Sequence, residues 1–395
     1  MSGALNGVRV LDLSRVLAGP FSTMILGDLG AEVIKVEAPG GSDDTRAWGP
    51  PFKGGESAYY LCTNRNKKAI TLNLKTEEGK AVLKRLVVES DVLIHNFKYG
   101  TMEKWQLGYE DLKKLNPRLI YCSITGFGST GPYKELAGYD YIIQAMSGLM
   151  SITGSEESGP LKVGVAITDV ITGLYAVIGI TSALYERERS GEGQSIDLAL
   201  FDSAVSALVN VASNYLISGQ LPKLLGNHHP NIVPYQTFPT KDGEMVVAVG
   251  NDRQFKKLCT LIGKEEWAQD ERFATNDQRV RHRYELEALL SEVFKQKTAA
   301  EWRDLLNQEG IPCGPINNMK ELFHDPQVAA REMVVSMQHP TAGDIRLVGS
   351  PLKLSRTPVQ FRCPPPRAGE HTREVLRDLG IADREIEALK EKGIL

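Results

Sequence analysis

Polar and apolar positions in the first half of the chain switch between a period of two and a period of about 3.6. Residues 8–13 form a short β-rich apolar run. Gly19 and Pro20 then open a helical pattern that runs to Leu29 and stops at Gly30. Residues 32–37 (EVIKVE) alternate like a strand, and residues 69–74 are a further strand candidate. Thr76 to Glu78 carry a helix start, with apolar residues at helical spacing through Val88. Residues 91–95 and 119–124 complete the series of strands. Such strand–helix alternation predicts an α/β fold with a parallel sheet. Ligands gather at the carboxyl ends of strands in open α/β sheets, so the turns at 14–20 and 96–101 are expected to meet one.

The pattern changes in the second half. A strand at 195–199 leads into a helix reaching about Gly219, and a loop rich in Gly, His, Pro and Asn follows at 226–234. Residues 236–249 read as a hairpin turning at 241–243, with helical stretches from 252 to 308. The expected division is a large domain over 1–224, with 326–395 packing back on it, and a small domain over 225–325. Residues 164–185 are long and mostly apolar but contain Asp169. A carboxylate in lipid is costly, so this segment is read as a buried core helix and no membrane partner is expected.

Net charge narrows the partners. At −3 over 395 residues it argues against a nucleic-acid binder, while leaving room for a local basic pocket. Five scattered cysteines without a CxxC pair suit reduced thiols, and the N-terminal residues lack a signal-peptide layout; both predict a cytoplasmic protein. The histidines show no HxH or HExxH spacing, so no metal is expected. No GxxxxGK[ST] or GxSxG is present, and a dinucleotide fingerprint reading is weak.

Asp169 stands at the start of the apolar helix. Thr168 or Asp169 could simply cap that helix; alternatively Asp169 is a nucleophilic carboxylate in a partly apolar pocket. Asn96, Phe97 and Lys98 follow a strand end, where an ordinary turn and a ligand contact are both open. Lys67, Lys68, Lys75, Lys98 and Lys104 form a loose positive set, either solvated surface or phosphate partners.

Segments in a fixed order tie these residues together. They are GVRVLDLSRVLAGPF, GAEVIKVEAPGG, NRNKKAITLNLK, HNFKYG, GYDYIIQAMSGLMSITG, GVAITDVITGLYA, RERSGEGQSIDLALFDS, IPCGPINNMKELFHDP and GEHT. In this order the chain resembles the class III CoA-transferases, the CaiB/BaiF family, over essentially its whole length. VPYQTFPTKDG, NYLISG and GPINNM look most like the succinyl-CoA:glutarate branch. The resemblance implies a Rossmann-like large domain built from both chain ends, a smaller α+β domain, and an interlocked homodimer. It implies that no cofactor is permanently bound and that coenzyme A, as acyl-CoA, is a substrate beside a carboxylic acid.

The resemblance also implies roles for particular residues. Asp169 falls on the catalytic carboxylate, which forms an anhydride and then a CoA thioester. Val16, Leu17, Leu72, Asn73, Lys75, Asn96, Phe97, Lys98 and Lys104 fall on CoA-binding positions. Tyr139 and Asp140 fall near the thioester. Two departures matter: Ala38 stands where the formyl-CoA branch has arginine, and residues 225–235 replace that branch's glycine-run loop. Both argue against formyl or oxalyl substrates, and His228–Asn231 are expected to help select the acceptor. The competing readings are an α-methylacyl-CoA racemase, whose GHD histidine is replaced by Tyr139, and a non-catalytic acyl-CoA-binding protein.

Overall fold

The structure is a computed structural model and describes residues 3–395. Its Cα positions cluster into two compact units. The first runs to Leu149 and adds Val163–Val209 and Pro326–Leu395; the second comprises Met150–Lys162 and Asn210–Asp325. The compositional change near residue 225 therefore lies inside the second unit. Residues 210–224 continue the apolar helical character of the chain before them, so composition carries no mark of the earlier boundary.

Six strands form the sheet of the first unit: β1 (Arg9–Asp12), β2 (Glu32–Glu37), β3 (Lys67–Thr71), β4 (Val92–His95), β5 (Ile120–Thr125) and β6 (Ser195–Ala199). All neighbours are parallel, in the order β3-β2-β1-β4-β5-β6. That is the 3-2-1-4-5-6 order of doubly wound nucleotide-binding sheets, whose direction reverses between β1 and β4. The third strand starts two residues before the run at 69–74, because Lys67 and Lys68 pair with β2 although they are charged.

The sheet forms because successive side chains feed opposite layers. Leu11, Ile34, Leu93 and Tyr121 share a core with Leu83 and Leu86 of α2 (Glu77–Val88). Val10, Val33, Val92, Ile120 and Cys122 join the other core, with Leu26 and, further along, Ala176 and Ile180. These last belong to α1 (Ala18–Asp28) and α4 (Ile167–Ser190). Between them in sequence lies α3 (Asp140–Met146), and α5 (Leu200–Ala207) follows β6. The helical run after β6 is broken at Leu208 rather than continuous.

The edge of β3 is covered by the returning tail, which removes an exposed strand edge. His371 N–H donates to Ala69 O at 2.8 Å, and Thr71 N–H donates to Thr372 Oγ1 at 3.0 Å. Val375, Leu376, Ile386 and Leu389 of the two C-terminal helices enter the first core.

The second unit carries a three-stranded antiparallel sheet: β7 (Tyr235–Thr240), β8 (Gly243–Ala248) and β9 (Cys313–Pro315). Phe238, Met245, Val247, Phe255, Phe294 and Trp302 build its core.

Candidate active site

The turn between β1 and α1 lies at the switch point of the sheet. A cavity of about 200 Å³ opens there. Arg15, Val16 and Ala18 line it from the β1 end, and Asn96, Phe97, Lys98 and Tyr99 from the β4 end. Thr125 closes β5 beside them, Lys134 and Tyr139 reach in from the following loop, and Asp169 stands among them.

Asp169 sits in the first turn of α4 and is not its cap. The N-cap position is Ala166, which has no side-chain acceptor. The capping comes from α3 instead: Asp140 Oδ1 accepts the Thr168 N–H at 2.8 Å and the Thr168 hydroxyl at 2.7 Å, while its Oδ2 accepts Gln144 Nε2 at 2.7 Å. With α4 capped by another helix, the Asp169 carboxylate points across to α1, where its Oδ1 accepts the Ala18 N–H at 3.3 Å. Gly173, one turn later on the same face of α4, permits this approach. A Cβ there would lie 2.8 Å from the Ala18 carbonyl oxygen.

Electrostatics favour the neutral acid. Burial raises the Asp169 carboxyl, the nearby Asp140 charge raises it further, and the Ala18 N–H only partly offsets them, leaving it at about 7. At neutral pH such a group is divided between acid and carboxylate, and its carboxylate form is poorly solvated. Tyr59 feels the same charge: burial first, then Asp169, push its phenol up to about 12, so it is a neutral hydroxyl.

Of the residues picked from sequence, Val16, Asn96, Phe97, Lys98, Tyr139 and Asp169 meet in this cavity. Leu17 is the residue capping α1 and does not line it. Leu72 is 1% exposed and part of the core, so its side chain cannot line an opening. Asn73 and Lys75 follow β3, two strands from β1, where Asn73 Oδ1 accepts the Lys75 N–H at 3.1 Å. Lys104 ends a short helix, Thr101–Lys104, and is exposed away from the cavity lining. His228 belongs to the second unit, held by Leu225 O at 2.7 Å and Glu287 at 2.9 Å.

Sequence reasoning missed Arg15, Tyr99 and Lys134, which supply charge and an aromatic face to the lining; the Lys134 ammonium sits 5.2 Å from the Tyr99 ring centre. It also overlooked that residues 126–131 (GFGSTG) do fit a GxGxxG spacing. That segment follows β5 and opens no helix, so it lacks the context of a dinucleotide fingerprint.

Lysines and an arginine around a half-buried carboxylate suit an anionic, phosphate-bearing acyl donor, and comparison with known proteins agrees. The profile of CoA-transferase family III matches residues 5–372. A succinate–glutarate CoA-transferase of Agrobacterium fabrum is 50% identical over 390 residues, covering 96% of each chain. The human succinyl-CoA:glutarate CoA-transferase is 47% identical, over 99% of this chain and 90% of its own. Among solved structures, a CaiB/BaiF family protein from Brucella suis superposes with a TM-score of 0.85 at 49% identity, covering 96% of this chain and all of its own. With a family match over residues 5–372 and relatives about half identical over nearly the entire length, the chain belongs to CoA-transferase family III.

Proposed function

We propose that this protein moves coenzyme A from succinyl-CoA to glutarate, with Asp169 as the nucleophile. The observation that carries the reading is the half-buried Asp169 carboxylate facing the Ala18 N–H inside a cavity lined by Lys98, Lys134 and an Arg15–Asp44 ion pair. The names of the relatives supply the two acids.

The chemistry balances without an external acid or base. An Asp169 oxygen attacks the thioester carbon; the C–S bond breaks and CoA leaves as thiolate, forming a mixed anhydride. The thiolate attacks the aspartyl carbon of that anhydride and expels succinate, leaving an aspartyl-CoA thioester. Glutarate attacks the same carbon and displaces the thiolate, which then attacks the glutaryl carbon and restores the Asp169 carboxylate. Each covalent step keeps the energy of the thioester. The Ala18 N–H, which faces Asp169, is the donor the geometry offers to a developing oxyanion. The side chain and the CoA thiol suffice, so no resident cofactor is required.

We assign CoA binding to the first unit, with Arg15, Lys98 and Lys134 toward the phosphates. Asn73, Lys75 and Lys104 fit the far end of so long a ligand better than the reacting end. The working state we propose is a homodimer. Leu174, Ile178 and Tyr185 on α4 are 45%, 57% and 66% exposed, and Tyr141 and Ile142 on α3 are 57% and 49% exposed. Large apolar side chains this open mark an interface, and a solution mass of one chain would remove the dimer from the proposal. Five unpaired cysteines support a reducing cytoplasmic setting.

The activity itself is tested with purified protein, succinyl-CoA and a panel of acids, followed by mass spectrometry of the CoA products. Glutaryl-CoA is the expected main product. Turnover with other acids but none with glutarate would overturn the acceptor, and racemised acyl-CoA without exchange would overturn the reaction.

A further inference from the structure

The turn from β1 to α1 is held by side chains, Asp12 at the end of β1 and Asn96 and Asp43 from elsewhere in the sequence. Ser14 N–H donates to Asp12 at 2.9 Å, Arg15 N–H to Asn96 Oδ1 at 3.0 Å, and Val16 N–H to Asp43 Oδ1 at 3.1 Å. Asn96 Nδ2 returns a bond to Arg15 O at 2.7 Å. Ala18 N–H, two residues on, is the donor to Asp169. Within this turn Val16 has φ of +69°. A β-branched residue avoids the left-handed region, because its Cβ crowds the backbone; such strain persists only where the surroundings enforce it.

The enforcing group is buried and charged. Asp43 and Lys35 pair at 2.8 Å with both side chains fully buried. Lys35 Nζ also donates to Ser14 O at 2.9 Å, so the pair grips the turn at the Ser14 carbonyl and at the Val16 amide. The same Asp43 Oδ1 that takes the Val16 N–H also accepts the Thr45 N–H at 3.1 Å and the Thr45 hydroxyl at 2.7 Å, while Oδ2 takes Lys35. Neither Asp43 nor Lys35 lines the cavity.

We infer that the buried Asp43–Lys35 pair is a positioning device for the nucleophile: it holds Val16 left-handed and thereby aims the Ala18 amide at Asp169. The inference rests on the reading of Asp169 as nucleophile. Its consequence is that the backbone conformation of residue 16, rather than its side chain, sets the reactivity of the carboxylate that the Ala18 amide faces.

The test compares Val16→Gly with Val16→Pro in full-length enzyme at saturating acyl-CoA. Both remove the valine side chain. Glycine keeps the left-handed conformation and the N–H; proline forbids the first and lacks the second. The expected kcat of the proline variant is about 100-fold below that of the glycine variant, the scale of a small misplacement at a reacting centre. Its pH midpoint should also rise above about 7, since Asp169 loses the amide that favours its charge. In a second arm, Asp43→Asn lowers kcat, and adding Val16→Gly to it restores part of the loss, because glycine does not need forcing. Equal kcat and equal pH midpoints for the two Val16 variants overturn the inference, as does an Asp43→Asn loss that Val16→Gly leaves unchanged in folded protein. If Asp43→Asn does not fold, the Val16 pair decides alone. Asp169→Ala separates the two levels: an inactive Asp169→Ala with indistinguishable Val16 variants sinks only the positioning device, whereas an active Asp169→Ala sinks the reading of the site.

Discussion

Replacing Asp169 with alanine abolishes CoA exchange while the fold and acyl-CoA binding survive. The whole relay runs through one carbon, so no partial route replaces it, and a loss of about 10⁴-fold or more is expected. The cavity walls that would hold the CoA are separate side chains, so the affinity of CoA in a direct binding assay stays within the range of the unaltered protein. The same carboxylate dictates the pH profile. Burial first and Asp140 second lift it to about 7, and only the ionised form attacks. The rate with limiting acyl-CoA therefore climbs with pH and reaches half its plateau near 7. Stability moves oppositely. Between the ordinary value of 3.8 and about 7 the folded protein holds a proton that the unfolded chain has released, so stability falls as pH rises through that window. At pH 8 the alanine variant should melt above the wild type, at about 1–2 °C for each kcal/mol relieved. Near-normal turnover by Asp169→Ala, or a flat profile between pH 6 and 8, contradicts this account.

How much of this was readable from the chain differs by residue. The strands of the main sheet were legible because their residues are strongly apolar, as in Val10–Leu11 and Val92–Ile94, and each is bounded by polar or glycine residues. The small third strand Cys313–Pro315 was not, since three residues carry no period. By pattern Asp169 stood between two readings, a helix cap and a nucleophilic carboxylate. What sets it apart is the glycine one turn on and the amide of Ala18, 151 residues earlier, and neither distance is written in a local window. The charged network was the least legible. Lys35 looks like the polar member of an alternating strand, and Lys67 looks like surface charge. Both are buried because their partners, Asp43, Asp12 and the turn carbonyls, come from other strands and loops. A sequence shows charges but not their pairing.

That pairing also separates the two kinds of ion pair in the first unit. Arg377 and Asp383 meet at 2.7 Å with each side chain about half exposed, at 53% and 52%. A pair so wet adds little to stability, because water screens it. Lys67 and Asp12 meet at 3.0 Å with neither exposed at all. The shorter distance belongs to the weaker pair, because burial rather than length decides what the loss of one partner does.

Lys67→Met is therefore expected to be the most destabilising single change in the sheet. The ammonium of Lys67 has three partners: Asp12 Oδ2 at 3.0 Å, Pro20 O at 2.9 Å and Asn64 Oδ1 at 2.9 Å. Methionine fills similar space but leaves Asp12 short of a counter-charge in a dry layer, a loss of about 3–5 kcal/mol. That corresponds to a fall in melting temperature of about 5 °C. Asp12 reports the same event in acid. Burial raises its carboxyl, but Lys67, Lys35 and the hydroxyls of Ser14 and Thr23 outweigh burial and bring it down to about 2. A depressed carboxyl contributes stability above its ordinary value of 3.8 and loses it as pH falls through about 2. Without Lys67 that value rises, so the acid-unfolding midpoint moves to higher pH. Neutralising both partners, as Asp12→Asn with Lys67→Met, should recover part of the loss, since the damage comes from a stranded charge more than from a missing attraction. A single Lys67→Met variant within about 1 kcal/mol of wild type in urea would mean that Lys35 alone satisfies Asp12, and that the network beneath the β1 turn is redundant.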